Sequence, residues 1–416
     1  MLTICVFLVL IILIFLAYLD TKKPNNFPPG PKWFPIIGCA WQFHKLQLKT
    51  GLIAKASEEL ALKYGSLVGV RIGCSRIVFV YGLRATQELL TRDDLQNRPD
   101  GVFYTSRTWG KRRGLMFVDS EFWREQKQFV LKQIGFSKEK MAHSIGKEVQ
   151  CIIDDIKREV KDGKGEGLFE MSDLFGVPIL SALWTLMVGD EYAKDVKEME
   201  ALEVIVKDLF GNTRMIGALF QHFPFLRYIC PKYCGYNEYK TVDKMKTTYN
   251  SNTTRGFIDS YLHEQLAAIG LDLLFAGYET TSKILSLSFL YLLLHPVIKK
   301  KAQEEIDKIV GRNRLPTLDD RPLLYYIEAI LLEATRLFVG SALALPRMTV
   351  ADCNFNGLGK RRCIGESLAK AHMFLICTAL LHTFNFEAIP TDPPVVAFRD
   401  GFVPSVGPFR GKITLR

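Results

Sequence analysis

Gly357-Leu358-Gly359-Lys360-Arg361-Arg362-Cys363-Ile364-Gly365-Glu366 is the stretch on which the reading of the fold turns. Two glycines before the cysteine permit positive φ and close backbone approach. A helical pattern over 364–384 starts just after it, so Cys363 sits at a helix start. Helix-start amides and neighbouring cations stabilise a thiolate over a thiol. A thiolate held there can ligate a soft metal or a haem iron. Gly365 would let a planar group lie against the helix. Taken alone, the same ten residues also fit a basic surface loop with an ordinary buried cysteine.

Working outward, the next informative stretch is Ala276-Gly277-Tyr278-Glu279-Thr280-Thr281, in the middle of a long helical pattern over 265–295 that Pro296 ends. Gly and Thr cost stability in a helix interior. Thr280 can bond the Ala276 carbonyl and open the helix locally, leaving a polar notch for water or a diatomic ligand. Glu279 beside it offers a carboxylate for proton delivery. A tolerated kink has the same residues. Glu333 and Arg336 are three apart on a helix and share a face, as Trp123 and Lys127 do on another. Each pair alone reads equally well as an ordinary surface or core feature.

The chain has 416 residues, 48% of them hydrophobic and 24% charged, and a net charge of +10. That balance excludes a disordered chain. Nine scattered cysteines with one close pair, Cys230 and Cys234, are no disulfide framework and point to a reducing compartment. Leu2 to Leu19 carries no charge and is long enough for a bilayer core; with no second such run, a polytopic transporter is excluded. Lys22 and Lys23 follow it rather than precede it, so an uncleaved anchor with the remaining chain in the cytosol is expected. Phe27-Pro28-Pro29-Gly30-Pro31 then makes a stiff elbow. The basic surface allows nucleic acid, anionic lipid or an acidic protein, and no Lys/Arg run interleaved with aromatics favours the first.

Elsewhere, periodicity predicts helices over 52–64, 120–133, 138–161, 172–189, 194–210, 298–310 and 323–338, and a hairpin of strands 67–72 and 76–81. The stretch 211–236 reads as an irregular surface loop. The fold class expected is mainly α with small β-sheets.

These features, in this order, resemble the cytochrome P450 superfamily of haem-thiolate monooxygenases, in a microsomal animal form of arthropod texture. The resemblance covers the whole chain. It implies one haem domain over 32–416, behind an anchor at 1–20 and a hinge at 21–31. It implies haem b as cofactor, with Cys363 as the axial thiolate on iron. Thr280 matches the alcohol beside bound dioxygen, and Glu279 the acid that relays protons. Arg347, Arg361, Trp123 and Lys127 match groups that hold the haem propionates, and Gly359 and Gly365 the glycines of the cysteine loop. Glu333 and Arg336 match a buried structural pair. Lys360 and Arg362 would face an NADPH-cytochrome reductase or cytochrome b5. The implied location is the endoplasmic reticulum (microsomal) membrane, single-pass, with the catalytic domain on the cytosolic face. The other implied partners are membrane lipid and a lipophilic substrate, with no nucleic acid.

The departures from the family are as specific. An aromatic belongs seven residues before the cysteine, where this chain has Asn356, with Phe355 one residue too early. The strand-like run after Arg347 leads straight into Gly359-Lys360, where the family has several dozen further residues, including an arginine that completes the Glu-Arg cluster. Deletions are therefore expected near 356–359, near 262–265 where a linker between two helices is absent, and, of a few residues, near Gln133 to Gly135. Three readings follow: a monooxygenase using electrons from NADPH, a catalytically inactive truncated product that binds haem poorly, and a non-enzymatic helical membrane protein. No G-x-x-x-x-G-K-[ST], H-E-x-x-H or G-x-S-x-G is present.

Overall fold

The computed structural model describes residues 2–92, 95, 97–106, 108, 110–135, 137–190, 195–211, 217–237, 257–338, 345–347 and 363–416. Contacts divide the chain into two compact units.

The first unit comprises residues 1–107, 213–245 and 345–361. It begins with α1 (Leu2–Asp20), 19 residues whose described side chains are mostly exposed and apolar, long enough to cross a membrane. Asp20 ends the helix and is gripped from the body. Its carboxylate accepts from Arg71 Nη2 at 2.8 and 2.9 Å and from the Ile36 amide at 2.7 Å. The proline elbow lies on a strand: Gly69 N donates to Pro29 O at 2.8 Å, and a β-carbon on Gly69 would press on Pro28 O at 2.6 Å. Helix α2 (Ala40–Thr50), which the sequence pattern did not announce, precedes α3 (Ile53–Tyr64). Strands β1 (Leu67–Ile72) and β2 (Ser75–Val80) pair antiparallel, Leu67 with Val80 through Ile72 with Ser75. The predicted hairpin is present, its second strand starting and ending one residue earlier. Helices α4 (Leu83–Thr91) and α5 (Val102–Ser106) follow.

The described part of the expected surface loop, 217–237, is not wholly on the surface. It holds two single-turn helices, Leu219–His222 and Leu226–Ile229, and buries Phe220 and His222. The His222 carbonyl accepts from Cys74 N at 2.9 Å, and its Nδ1 bonds Ser75 Oγ at 2.8 Å. Apolar residues in a Gly- and Pro-rich stretch can thus be packing residues of the neighbouring hairpin.

The second unit comprises residues 108–212, 246–344 and 362–416. Helix α6 (Ser120–Ile134) is followed by α7 (Lys138–Asp162), whose buried Met141, Ile145, Val149, Ile152, Ile156 and Val160 form one stripe at helical spacing. Burying each such side chain contributes about 1.5–3 kcal/mol, which orders α7 where propensity could not. After β3 (Glu166–Glu170) come α8 (Gly176–Val188) and α9 (Val196–Gly211). Helix α10 (Phe257–Leu294) runs unbroken for 38 residues through the expected junction at 262–265. Pro296, at a helix start where its missing N–H costs nothing, opens α11 (Pro296–Ile309). Helix α12 (Tyr325–Leu337) and α13 (Glu366–Thr383) complete the helical layer. α13 is buried on nearly every side from Ala371 to His382. Strands β4 (Phe384–Glu387) and β7 (Arg410–Leu415) close a sheet of order β3-β7-β4, with a small hairpin of β5 (Phe398–Arg399) and β6 (Ser405–Val406) between them in sequence.

The turn between α11 and α12 carries a pH-sensitive lock. Arg314 binds Asp320 with two bonds of 2.6 and 2.7 Å, and the Thr317 amide donates to Asp320 at 2.8 Å. These bonds hold the Asp320 carboxyl down at about 2. A depressed pKa stabilises the fold fully above the unfolded value of about 4, and the gain is lost as pH falls through the folded value. Arg314 is half exposed, so the gain is limited to ~1 kcal/mol. Asp320→Asn is expected to lower the urea midpoint at pH 7, with the difference from the parent shrinking between pH 4 and pH 2.

Candidate active site

Cys363 lies three residues before α13, exposed, with Gly365 in the N-cap position. Among the described residues a β-carbon on Gly365 would meet nothing within 4 Å, so they leave a flat group room beside that backbone. Ile364, next to the cysteine, packs on a cluster of Leu115, Val118 and Trp123. Leu273 of α10 packs on the same cluster. Ile364 and α10 therefore converge on one set of apolar side chains.

From Leu273 the face of α10 runs to Ala276, Gly277 and Thr280, spaced as neighbours on one side of a helix. These four are exposed or half-buried, while Leu274, Phe275, Tyr278 and Glu279 between them are buried. Thr280 Oγ1 donates to Ala276 O at 2.7 Å, the bond expected from the sequence. Gly277 has a packing reason: a β-carbon there would press on Leu183 of α8 at 2.8 Å. Glu279 does not share the open face with Thr280. Its carboxylate is buried in an ion pair with Lys283, whose Nζ also donates to Val403 O at 2.9 Å.

Trp123 is buried on α6, and Lys127 Nζ lies 4.9 Å from its ring centroid, one helical turn on. The loop before α6 is pinned to α10 by a run of polar contacts. Buried Arg113 pairs with Glu264. Gln265 accepts from Gly114 N at 3.2 Å and donates to Gly114 O at 3.3 Å. Buried Asp272 accepts from the amides of Leu115 at 2.6 Å and Met116 at 2.8 Å. Gly114 has φ +84°, and a β-carbon there would overlap the Asp272 carboxylate. Sequence reasoning missed Asp272. Its signal was a lone acid in the apolar run Ile269-Gly270-Leu271-Asp272-Leu273-Leu274, a residue that is costly to bury without donors.

In the first unit, Arg347 is half-buried. Nη1 donates to Leu90 O at 3.4 Å, Nε has no hydrogen-bond partner among the described residues, and burial pushes its pKa down. A half-buried guanidinium with spare donors is the kind of group that receives an anion. Arg98, also missed, is buried and donates to the carbonyls of Leu345 and Pro346, the two residues before Arg347, at 3.0 and 2.9 Å. Gly359 and Arg361, with Lys360, Arg362, Phe355, Asn356 and the junction at 356–359, lie outside the described residues.

Glu333 and Arg336 correct an expectation. They do pair, with bonds of 2.6 and 2.7 Å, but their side chains are 53% and 68% exposed rather than buried. The Arg336 guanidinium holds Glu333 below its usual range. A fork closed on itself in water needs no third partner, and such a solvent-screened pair contributes little.

Among the described residues no three His, Cys, Asp or Glu converge as a metal shell. An exposed cysteine by itself could offer one thiolate, the protein's share for an iron whose other ligands come from a porphyrin. The space at Gly365, the open apolar face of α10 and the exposed sulfur all fit that group.

Comparison with known proteins agrees. The cytochrome P450 family model matches residues 28–358 and, as a separate piece, 357–409. The chain is 32% identical to a probable cytochrome P450 303a1 of Drosophila melanogaster over 473 residues, covering 93% of this chain and 94% of that protein. It is 27% identical to a farnesoate epoxidase of Bombyx mori over 493 residues, covering 97% of each. It is 24% identical to cytochrome P450 2L1 of Panulirus argus over 460 residues, covering 89% of this chain and 91% of that protein. Each alignment is longer than the 416 residues the chain possesses, so each opens internal gaps in it. Matched over most of its length by the family model and by these relatives, the chain belongs to the cytochrome P450 family of haem-dependent monooxygenases.

Proposed function

We propose that the chain is a monooxygenase of lipophilic small molecules, anchored by α1 in the endoplasmic reticulum membrane with its body on the cytosolic side. Its electrons come from NADPH through a reductase, with cytochrome b5 as a second donor. Haem bound at Cys363 supplies the oxygen-activating redox chemistry that side chains lack. The observation that supports the reading is that Ile364, next to Cys363, and Leu273, one turn before Ala276 and Gly277 on the face bearing Thr280, pack on one cluster.

The chain's own residues would do the following. Cys363 donates its thiolate from a helix start. Thr280 offers a hydroxyl on the open face, where its bond to Ala276 O can be exchanged for one to a small polar ligand. Glu279, one residue before it, accepts or releases a proton once its pairing with Lys283 loosens. Trp123, Lys127, Arg347 and Arg361 are proposed to hold the carboxylates of the cofactor, and Gly359 and Gly365 to let the backbone approach it. Lys360 and Arg362 would meet an acidic redox partner. The buried Phe117, Phe275 and Phe402 support a lipophilic substrate. One relative is named for action on farnesoate, which is consistent with that class.

A second reading, a truncated isoform that binds haem poorly, is favoured by a specific observation. The family match breaks at residues 357–358, within the junction at 356–359 expected from the sequence. The unbroken run of α10 through 262–265 and the exposed Glu333–Arg336 pair support it too. Expression with 5-aminolevulinic acid, followed by a reduced carbon-monoxide difference spectrum, tests both. On the second reading the expected thiolate-type band is far below one haem per chain, and Cys363→Ala removes what remains. A full-height band retires the truncation reading; a band that survives Cys363→Ala overturns the ligand assignment.

A further inference from the structure

We propose that Lys283 is a specificity-determining positioning residue: by tying the Val403 carbonyl to the Glu279 carboxylate, it fixes the tip of the 398–406 hairpin as a wall of the substrate site. The substrate half of this proposal rests on the monooxygenase reading above.

Lys283 stands one helical turn after Glu279 on α10, so the two share a face. Its ammonium group has three donors and no acceptor. One goes to the Glu279 carboxylate and one to Val403 O at 2.9 Å. Glu279 is buried at that point, so the cation also neutralises a charge that would be costly alone. The hairpin it holds is short. Only Phe398 with Val406 and Arg399 with Ser405 are in strand register, and the Gly401 position between them favours a turn. Phe402, next to the tethered Val403, is 3% exposed. Its ring meets Phe275 at 5.4 Å and Phe117 at 6.5 Å, both edge to face. Phe275 immediately precedes Ala276 of the open face. Phe117 immediately follows Met116, which hangs on Asp272, and precedes Val118 of the cluster that packs Ile364. The tip thus packs on side chains next to those that meet Ile364, the residue after Cys363.

Behind Lys283 is a cavity of about 380 Å³, lined by Glu203, Lys207, Tyr278, Ser282 and the hairpin itself. The tip has room to move inward when the tether is cut. A shift of Phe402 would change the shape of the apolar wall. Rigid, bulky ligands and flexible, slender ones would respond differently, as a shaped wall discriminates where a greasy surface does not.

The experiment uses the full chain in detergent with Lys283→Met, Lys283→Arg and Glu279→Gln. Hydrogen exchange of peptides covering 398–406 reads the tether. Displacement of Nile red by lauric acid and by progesterone reads the wall, and needs no haem. Lys283→Met is expected to speed exchange in the hairpin at least fivefold, to leave the β3-β7-β4 sheet unchanged, and to alter the lauric acid to progesterone affinity ratio at least fivefold. Lys283→Arg, which keeps a charged donor, is expected to restore both to within twofold. Glu279→Gln, which keeps the Val403 bond, is expected to change exchange less than Lys283→Met. Unchanged hairpin exchange in Lys283→Met overturns the tether. Faster exchange with both affinities falling in equal proportion reduces Lys283 to a structural residue and overturns the specificity role. The carbon-monoxide band is read on the same samples. Its absence throughout, with the ratio still shifting, removes the activity reading and leaves the tether standing.

Discussion

Inserting the relatives' intervening segment between Asn356 and Gly359 will raise haem occupancy of this chain about tenfold or more. The reasoning starts from α12. Glu333 and Arg336 close on each other in water, where a pair contributes little. If the insert supplies the arginine and strands that the family resemblance implies, the same two charges become a covered cluster, and breaking such a cluster typically costs about 3–5 kcal/mol. Each 1.4 kcal/mol carried into the folded haem-binding state multiplies occupancy by about ten. The measurement is haem per chain, from the pyridine haemochrome absorbance and the carbon-monoxide band of parent and insertion variant. A second arm places Glu333→Ala in both backgrounds: a large loss of occupancy is expected only with the insert. Equal occupancy in parent and insertion variant would falsify the truncation reading.

The second large effect is expected at Asp272. Asp272→Ala will destabilise the second unit by roughly 2–4 kcal/mol, because it leaves two buried backbone N–H groups, Leu115 and Met116, without their acceptor. Asp272→Asn keeps an amide oxygen for both donors and is expected to cost about 1 kcal/mol, the difference between a charged and a neutral acceptor. Urea unfolding gives the magnitude. Exchange of the Leu115 and Met116 amides gives the location and should rise in the alanine variant ahead of global unfolding. The consequence reaches the site, because Leu115 and Val118 form the cluster under Ile364. Gly114→Ala should approach the same phenotype from the other side, through its overlap with the Asp272 carboxylate and its φ of +84°. An alanine variant with a parental midpoint would show that the loop is held by its other contacts alone.

Much of the local structure could be read from residue patterns, and the reasons are local. The α7 stripe repeats at the helical period, the hairpin has its turn at Gly73, Pro296 starts a helix, and Thr280 bonds a carbonyl four residues back in its own helix. Each rests on interactions within a few residues, which periodicity and backbone chemistry report directly. What escaped shares the opposite property. Helix α2 has weak amphipathic order and is held by its neighbours. The buried guanidinium of Arg98 is explained only by carbonyls near residue 345, and the carboxylate of Asp272 only by amides near residue 115. No spacing rule connects residues so far apart along the chain.

The amino-acid order was enough for the mainly helical class, the bilayer-length apolar helix, the cysteine at a helix start and the succession of motifs that marks the family. Those depend on side-chain chemistry and short-range geometry. Burial and partnership were settled by packing. Glu333 and Arg336 are paired but in solvent, Glu279 is turned from the open face toward Lys283, and Asp272 serves a distant loop. The same residue types at the same spacing could have been covered or left in water. Which occurs depends on chain segments brought together from far apart, and on whether the segment that would cover them is present.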